Sequence, residues 1–152
     1  MGRILGIDPS LRGTGLAVLG CKRNAFDLLH SETLKLTNKV SSIDCLGQIH
    51  QTVAGLADLW KPNHVSCEET IYVQNFKTAQ IMGSARGAAL SAVAIREIPV
   101  FEYAPLRVKQ AVVGFGRASK EHPTLVVSLE DVGRKNSAPL AEANSIIEPW
   151  NF

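Results

Sequence analysis

The sequence has few cysteines, little net charge and no long apolar run, and each shortage removes a class of protein. Cys21, Cys45 and Cys67 are odd in number and show no C-x-x-C spacing. That argues against a disulfide framework and a structural zinc site, and it fits a reducing, cytoplasmic compartment. Apolar stretches such as 87–95 are interrupted or too short to cross a bilayer, and Met1-Gly2-Arg3 leads directly into a strand-like segment instead of a signal peptide. Neither export nor membrane insertion is expected. A net charge of +2 is too small to establish a polyanionic partner, so the placement of the basic residues has to carry that argument. No internal repeat or low-complexity linker divides the 152 residues, and 45% hydrophobic with 20% charged residues suits one packed domain over 1–152.

Periodicity supplies the elements. Arg3 to Asp8 reads as a strand turning at Pro9, Gly13 to Leu19 as its antiparallel partner, and Phe26 to Leu36 as a third strand. From Ser41 to Leu59, the residues Ile43, Leu46, Ile49, Val53, Leu56 and Leu59 recur at three- and four-residue steps and predict an amphipathic helix ended by Lys61-Pro62-Asn63. His64 to Glu68 reads as a short buried strand, Thr78 to Arg96 as a long helix rich in small residues, and Pro99 to Tyr103 as a fifth strand. Three shorter helices are expected after Pro105. The order β-β-β-α-β-α-β-α-α-α predicts a mixed α/β sheet, three strands antiparallel and two parallel, with helices on both faces.

Two of these strands end in acid. Asp8 closes an otherwise apolar strand, where a carboxylate is costly unless exposed, paired or bound to a cation. The alternative is that it caps the turn with Pro9 and Ser10. Glu68 and Glu69 likewise follow the apolar strand Val65 to Cys67. Open α/β sheets bind ligands beyond the carboxyl ends of their strands, and Mg²⁺ takes a few carboxylate oxygens while keeping waters. Carboxylates so placed can hold ions that activate water at a phosphodiester, against the plainer reading of solvated strand ends. An acidic centre on a nucleic-acid protein requires intervening cations and surrounding basic residues, and Arg86, Arg107, Lys109, Arg117 and Lys120 follow the acidic strands.

Several strings then coincide: Ile4-Leu5-Gly6-Ile7-Asp8-Pro9 with Gly13-Thr14-Gly15, Cys67-Glu68-Glu69, Gly83-Ser84-Ala85-Arg86-Gly87, Val100-Phe101-Glu102-Tyr103, and Val108 to Gly114 leading to Ala118-Ser119-Lys120-Glu121. In order and spacing they resemble the RuvC family of Holliday-junction resolvases, which have the RNase H-like nuclease fold. The resemblance implies a homodimeric endonuclease that nicks four-way junction DNA in recombination and repair using Mg²⁺ or Mn²⁺, with a branch-migration helicase complex as a further partner. It implies Asp8 and Glu68 as the first two metal-binding catalytic carboxylates. Lys109 and Lys120 would be basic groups near the scissile phosphates, and Tyr72 an aromatic at the junction centre, or else an ordinary core or interface aromatic. Arg86 would contact phosphate, or else form a salt bridge on the helix surface.

The resemblance departs from pattern on the last helix, where the family completes its site with D-x-x-D. Leu140 to Ile147 places Ala141 and Asn144 in those positions, while a shifted register brings Glu142 to the final one. Asn matches the shape of Asp without its charge, so Asn144 in that position would weaken a second ion site. Glu142 and Asn144 are therefore the candidates to complete the site, and a junction-binding protein without nuclease activity is the alternative reading. An ATP-binding relative of the actin and sugar-kinase type would need a second lobe, for which the chain is too short.

Overall fold

The computed structural model describes residues 2–22, 25–70 and 74–104. In chain order these form β1 (Gly2–Asp8), β2 (Gly13–Lys22), β3 (Ala25–Lys35), α1 (Ser42–Trp60), β4 (His64–Glu68), α2 (Phe76–Ala94) and β5 (Val100–Tyr103). The sheet order is β3-β2-β1-β4-β5, with β1–β2 and β2–β3 antiparallel and β1–β4 and β4–β5 parallel. The order and pairing of these seven elements agree with the expectation. The three C-terminal helices expected from the sequence lie outside the described residues.

Alternation along each strand decides which side chains meet the helices. Leu5 pairs with both Val18 and Val65, and Ile7 with both Leu16 and Cys67. All six are buried in one cluster with Ile49, Val53 and Leu56 of α1 and Ala85, Ala89, Ala92 and Val93 of α2. Both described helices thus cover the same face of the sheet, so the expected helices on both faces are not found among the described residues. Each fully buried aliphatic side chain here contributes about 1.5–3 kcal/mol. The buried residues of α2, three alanines and Val93, let that helix lie close against α1.

The helices have clear end signals. Ser41 caps α1 by accepting from the Asp44 N–H at 3.0 Å, and Lys61 ends it in the left-handed region, with φ 48°. Asn75 caps α2 by accepting from the Thr78 N–H at 3.1 Å, which starts that helix two residues before the expected Thr78. The α1 stripe needs a correction. Cys45, Ile49, Val53, Leu56 and Ala57 are its buried residues, whereas Ile43 and Leu59 are exposed. At 3.6 residues per turn those two lie about a quarter-turn or more from the centre of the stripe.

Candidate metal centre at the carboxyl ends of β1 and β4

The opposite sheet face carries the acids. Ile7 and Cys67 are paired in parallel and point toward the helices, so Asp8 and Glu68, one residue further on, stand level on neighbouring strands and face the other way. Gly15, which pairs with Asp8, and Tyr103, which pairs with Glu68, extend this row across the sheet. Neighbouring strands lie about 4.8 Å apart. The chain leaves β1 toward β2 on one side and β4 toward β5 on the other, a divergence of the kind that opens a binding crevice in α/β sheets.

The turn after Asp8 is locked from within. Thr14, 1% exposed, donates its hydroxyl to the Ser10 carbonyl at 2.6 Å and accepts from the Ser10 N–H at 3.3 Å. Arg12 ties the same turn to the segment before α1, donating to the carbonyls of Thr37 and Val40, each at 2.7 Å. Both contacts restrain the backbone that delivers Asp8.

Burial raises the Asp8 carboxyl above its ordinary value, and among the described residues no cation or donor offsets that desolvation. The turn-capping alternative for Asp8 therefore finds no hydrogen bond to support it among those residues. A divalent cation would relieve the unfavourable charge, so the residue type and its setting fit a metal ligand. Among the described residues no group of three or more His, Cys, Asp or Glu side chains converges as a metal-binding set. The two strand-end carboxylates are what this part of the chain offers. Cys67 faces the helices, and burial pushes its thiol up to about 11 despite the opposing pull of Arg86, so it remains a neutral thiol.

Arg86 is engaged by the protein itself. Its side chain is 15% exposed and pairs with Glu102 of β5. It also donates to the Glu68 carbonyl at 2.7 Å and to Cys67 Sγ at 3.2 Å. Glu102 pairs in register with Cys67, so this cluster occupies the helix-covered face, across the sheet from the Asp8 and Glu68 side chains. Of the two roles expected for Arg86, the ion pair is the one the geometry displays. Glu102 was not singled out from the sequence, although a lone acid within a four-residue strand is the same signal that drew attention to Asp8. Glu69 is exposed, and its N–H donates to the Tyr103 carbonyl at 2.9 Å. Tyr72, Lys109, Lys120, Glu142 and Asn144 lie outside the described residues.

Comparison with known proteins decides the family. The family model for the crossover junction endodeoxyribonuclease RuvC matches residues 4–146, which span every site residue named above. The chain belongs to the RuvC family. A RuvC from Natranaerobius thermophilus is 33% identical over 147 residues, covering 94% of this chain and 91% of that protein. One from Halorhodospira halophila is 42% identical over 120 residues, covering 79% and 71%. Among solved structures, Thermus thermophilus RuvC in complex with a Holliday junction substrate superposes with a TM-score of 0.74 at 30% identity, over 95% of this chain and 88% of that one. A yeast mitochondrial Holliday junction resolvase, 14% identical, shares the fold with a TM-score of 0.59. The mixed five-stranded sheet is that of the RNase H-like nucleases in this family.

Proposed function

We propose that this RuvC-family chain is an endonuclease that resolves four-way DNA junctions, with Asp8 and Glu68 as two of its metal-binding carboxylates. The observation that carries the proposal is the parallel register Ile7–Cys67, which sets two acidic strand ends side by side on one sheet face, with Asp8 half-buried. The related RuvC solved with a Holliday junction substrate supports the choice of DNA target. Bound by these carboxylates, Mg²⁺ or Mn²⁺ supplies Lewis acidity that lowers the pKa of water and offsets charge at the phosphodiester. The chain's own contribution is rigid placement: two strand ends fix the carboxylates, and the Ser10–Thr14 lock holds the turn behind Asp8.

Glu142 or Asn144 completes the site in this proposal, while Lys109 and Lys120 contact phosphates and Tyr72 stacks at the junction centre. A homodimer supplies two such sites for paired nicks. Consistent with a dimer, α2 presents Phe76, Gln80, Gly83 and Gly87 along an exposed stripe, with open space where a side chain at either glycine would stand. A branch-migration helicase complex is the proposed functional partner and the cytoplasm the proposed compartment. No helix among the described residues is long and apolar enough to cross a membrane.

The test is incubation of the purified protein with an end-labelled four-way junction in Mg²⁺, Mn²⁺ or EDTA. Paired, symmetric nicks in either metal and none in EDTA are expected. Tight binding in EDTA without nicks in either metal would replace this reading with that of a junction-binding protein, which the Asn144 position specifically favours. Binding should weaken steeply with salt, because lysine contacts to phosphate release counterions.

A further inference from the structure

We propose that Arg86 is a positioning residue for the Glu68 carboxylate, acting from the far side of the sheet. The inference rests on the metal-site reading of Asp8 and Glu68 and identifies what holds the second of them in place. Arg86 projects from α2 and makes three contacts at the ends of two strands. Nη1 donates to the Glu68 carbonyl at 2.7 Å and to Cys67 Sγ at 3.2 Å, and Nη2 pairs with Glu102. The planar fork of a guanidinium can serve a carbonyl and a carboxylate together, whereas a lysine ammonium concentrates its charge at one point.

The location gives the contact its consequence. The last paired residues between β1 and β4 are Ile7 and Cys67, so Glu68 stands one step beyond the ladder that fixes β4 against β1. Its carbonyl is the atom Arg86 holds. With that peptide held at its carbonyl by Arg86 and at its N–H by the Tyr103 carbonyl of β5, the Glu68 carboxylate is confined to the positions its own side-chain rotamers reach from a fixed Cα. The Glu102 ion pair orients the guanidinium and compensates a charge that is mostly removed from water. Through it, β5 and α2 are tied to the same point. Arg86 therefore links the helix-covered core to a ligand on the opposite face, and removing support of this kind costs about 10–100-fold in metal affinity or activity.

The experiment compares wild type with Arg86→Ala, Arg86→Lys and Glu102→Gln. Mn²⁺ alone is titrated by the spin-resonance signal of the free ion, kcat and KM are measured on the junction, and junction affinity is measured in EDTA. Arg86→Ala should weaken Mn²⁺ binding and lower kcat by about tenfold, with KM and junction affinity within about twofold of wild type. Arg86→Lys should recover part of the loss, and Glu102→Gln should show a smaller loss of the same kind. Unchanged Mn²⁺ binding and kcat in Arg86→Ala overturn the proposal. If junction affinity alone falls, Arg86 is a phosphate contact instead. Should Arg86→Ala fail to fold, Arg86→Lys and Glu102→Gln decide by the same criterion, with wild-type Mn²⁺ binding in both counting against it. Wild-type protein that binds no Mn²⁺ at millimolar concentration removes the metal-site reading and this inference together. Wild-type protein that binds Mn²⁺ without cutting junctions removes the nuclease reading but leaves the positioning role measurable.

Discussion

Asp8 is half-buried at the end of β1, and desolvation raises its carboxyl, so without a cation its ionised form opposes folding. A carboxyl whose folded pKa lies above the unfolded value of about 3.9 stabilises the protonated fold, and that stability is lost as pH rises through the folded pKa. Metal-free Asp8→Asn should therefore melt a few degrees above wild type at neutral pH, with the advantage vanishing as the pH falls toward 4. Added Mn²⁺ should reverse the order by stabilising wild type and leaving the variant unmoved. Thermal melts across pH, with and without the ion, check both parts, and a variant that melts no higher at neutral pH contradicts the assignment. Asp8 and Glu68 were legible in the sequence because each is an acid terminating an apolar strand. Their shared level and face were not, because register depends on long-range pairing that no local pattern encodes. The protein partners of Arg86 were hidden for the same reason: Glu102 is 16 residues away and meets it only after β5 joins the sheet.

Among the elements, α1 shows both the strength and the limit of periodicity. The spacing of Ile49, Val53 and Leu56 identified the helix and most of its buried face, while Ile43 and Leu59 shared the apolar character but point away. Cys45 and Ala57 replace them in the core, small residues that carry little weight in a count of apolar positions. Ile49→Ala should cost about 2–5 kcal/mol, whereas Ile43→Ala should stay within about 0.5 kcal/mol. Denaturant midpoints for the two variants measure the contrast, and comparable losses would mean that the buried stripe is misplaced. Asn75 caps α2 ahead of the alanine-rich run that signals the helix, so composition alone points to a start two residues too late. Three strands followed by βα units imply a mixed sheet of three antiparallel and two parallel strands, because such connections leave few unknotted, right-handed arrangements, while the spatial order β3-β2-β1-β4-β5 comes from the structure.

At the scale of the whole molecule, the sheet brings strands from opposite ends of the described chain to one row, Gly15–Asp8–Glu68–Tyr103, and leaves α1 and α2 on the other face. The proposed site is completed by the C-terminal segment, where one register puts Ala141 and Asn144 in the family's D-x-x-D positions and a shifted one brings Glu142 to the last of them. If Asn144 occupies the acidic position, Asn144→Asp restores charge for a second ion and should raise metal-dependent nicking by about tenfold or more. No gain in that variant, together with loss of nicking in Glu142→Gln, would instead assign the position to Glu142. The central claim, that Asp8 and Glu68 share a cation on the sheet face opposite α1 and α2, is tested most directly by anomalous diffraction from a Mn²⁺-soaked crystal. The account predicts a manganese peak between the two carboxylates, absent from Asp8→Asn crystals. Manganese bound only elsewhere, or a peak that persists unchanged in Asp8→Asn, would contradict it.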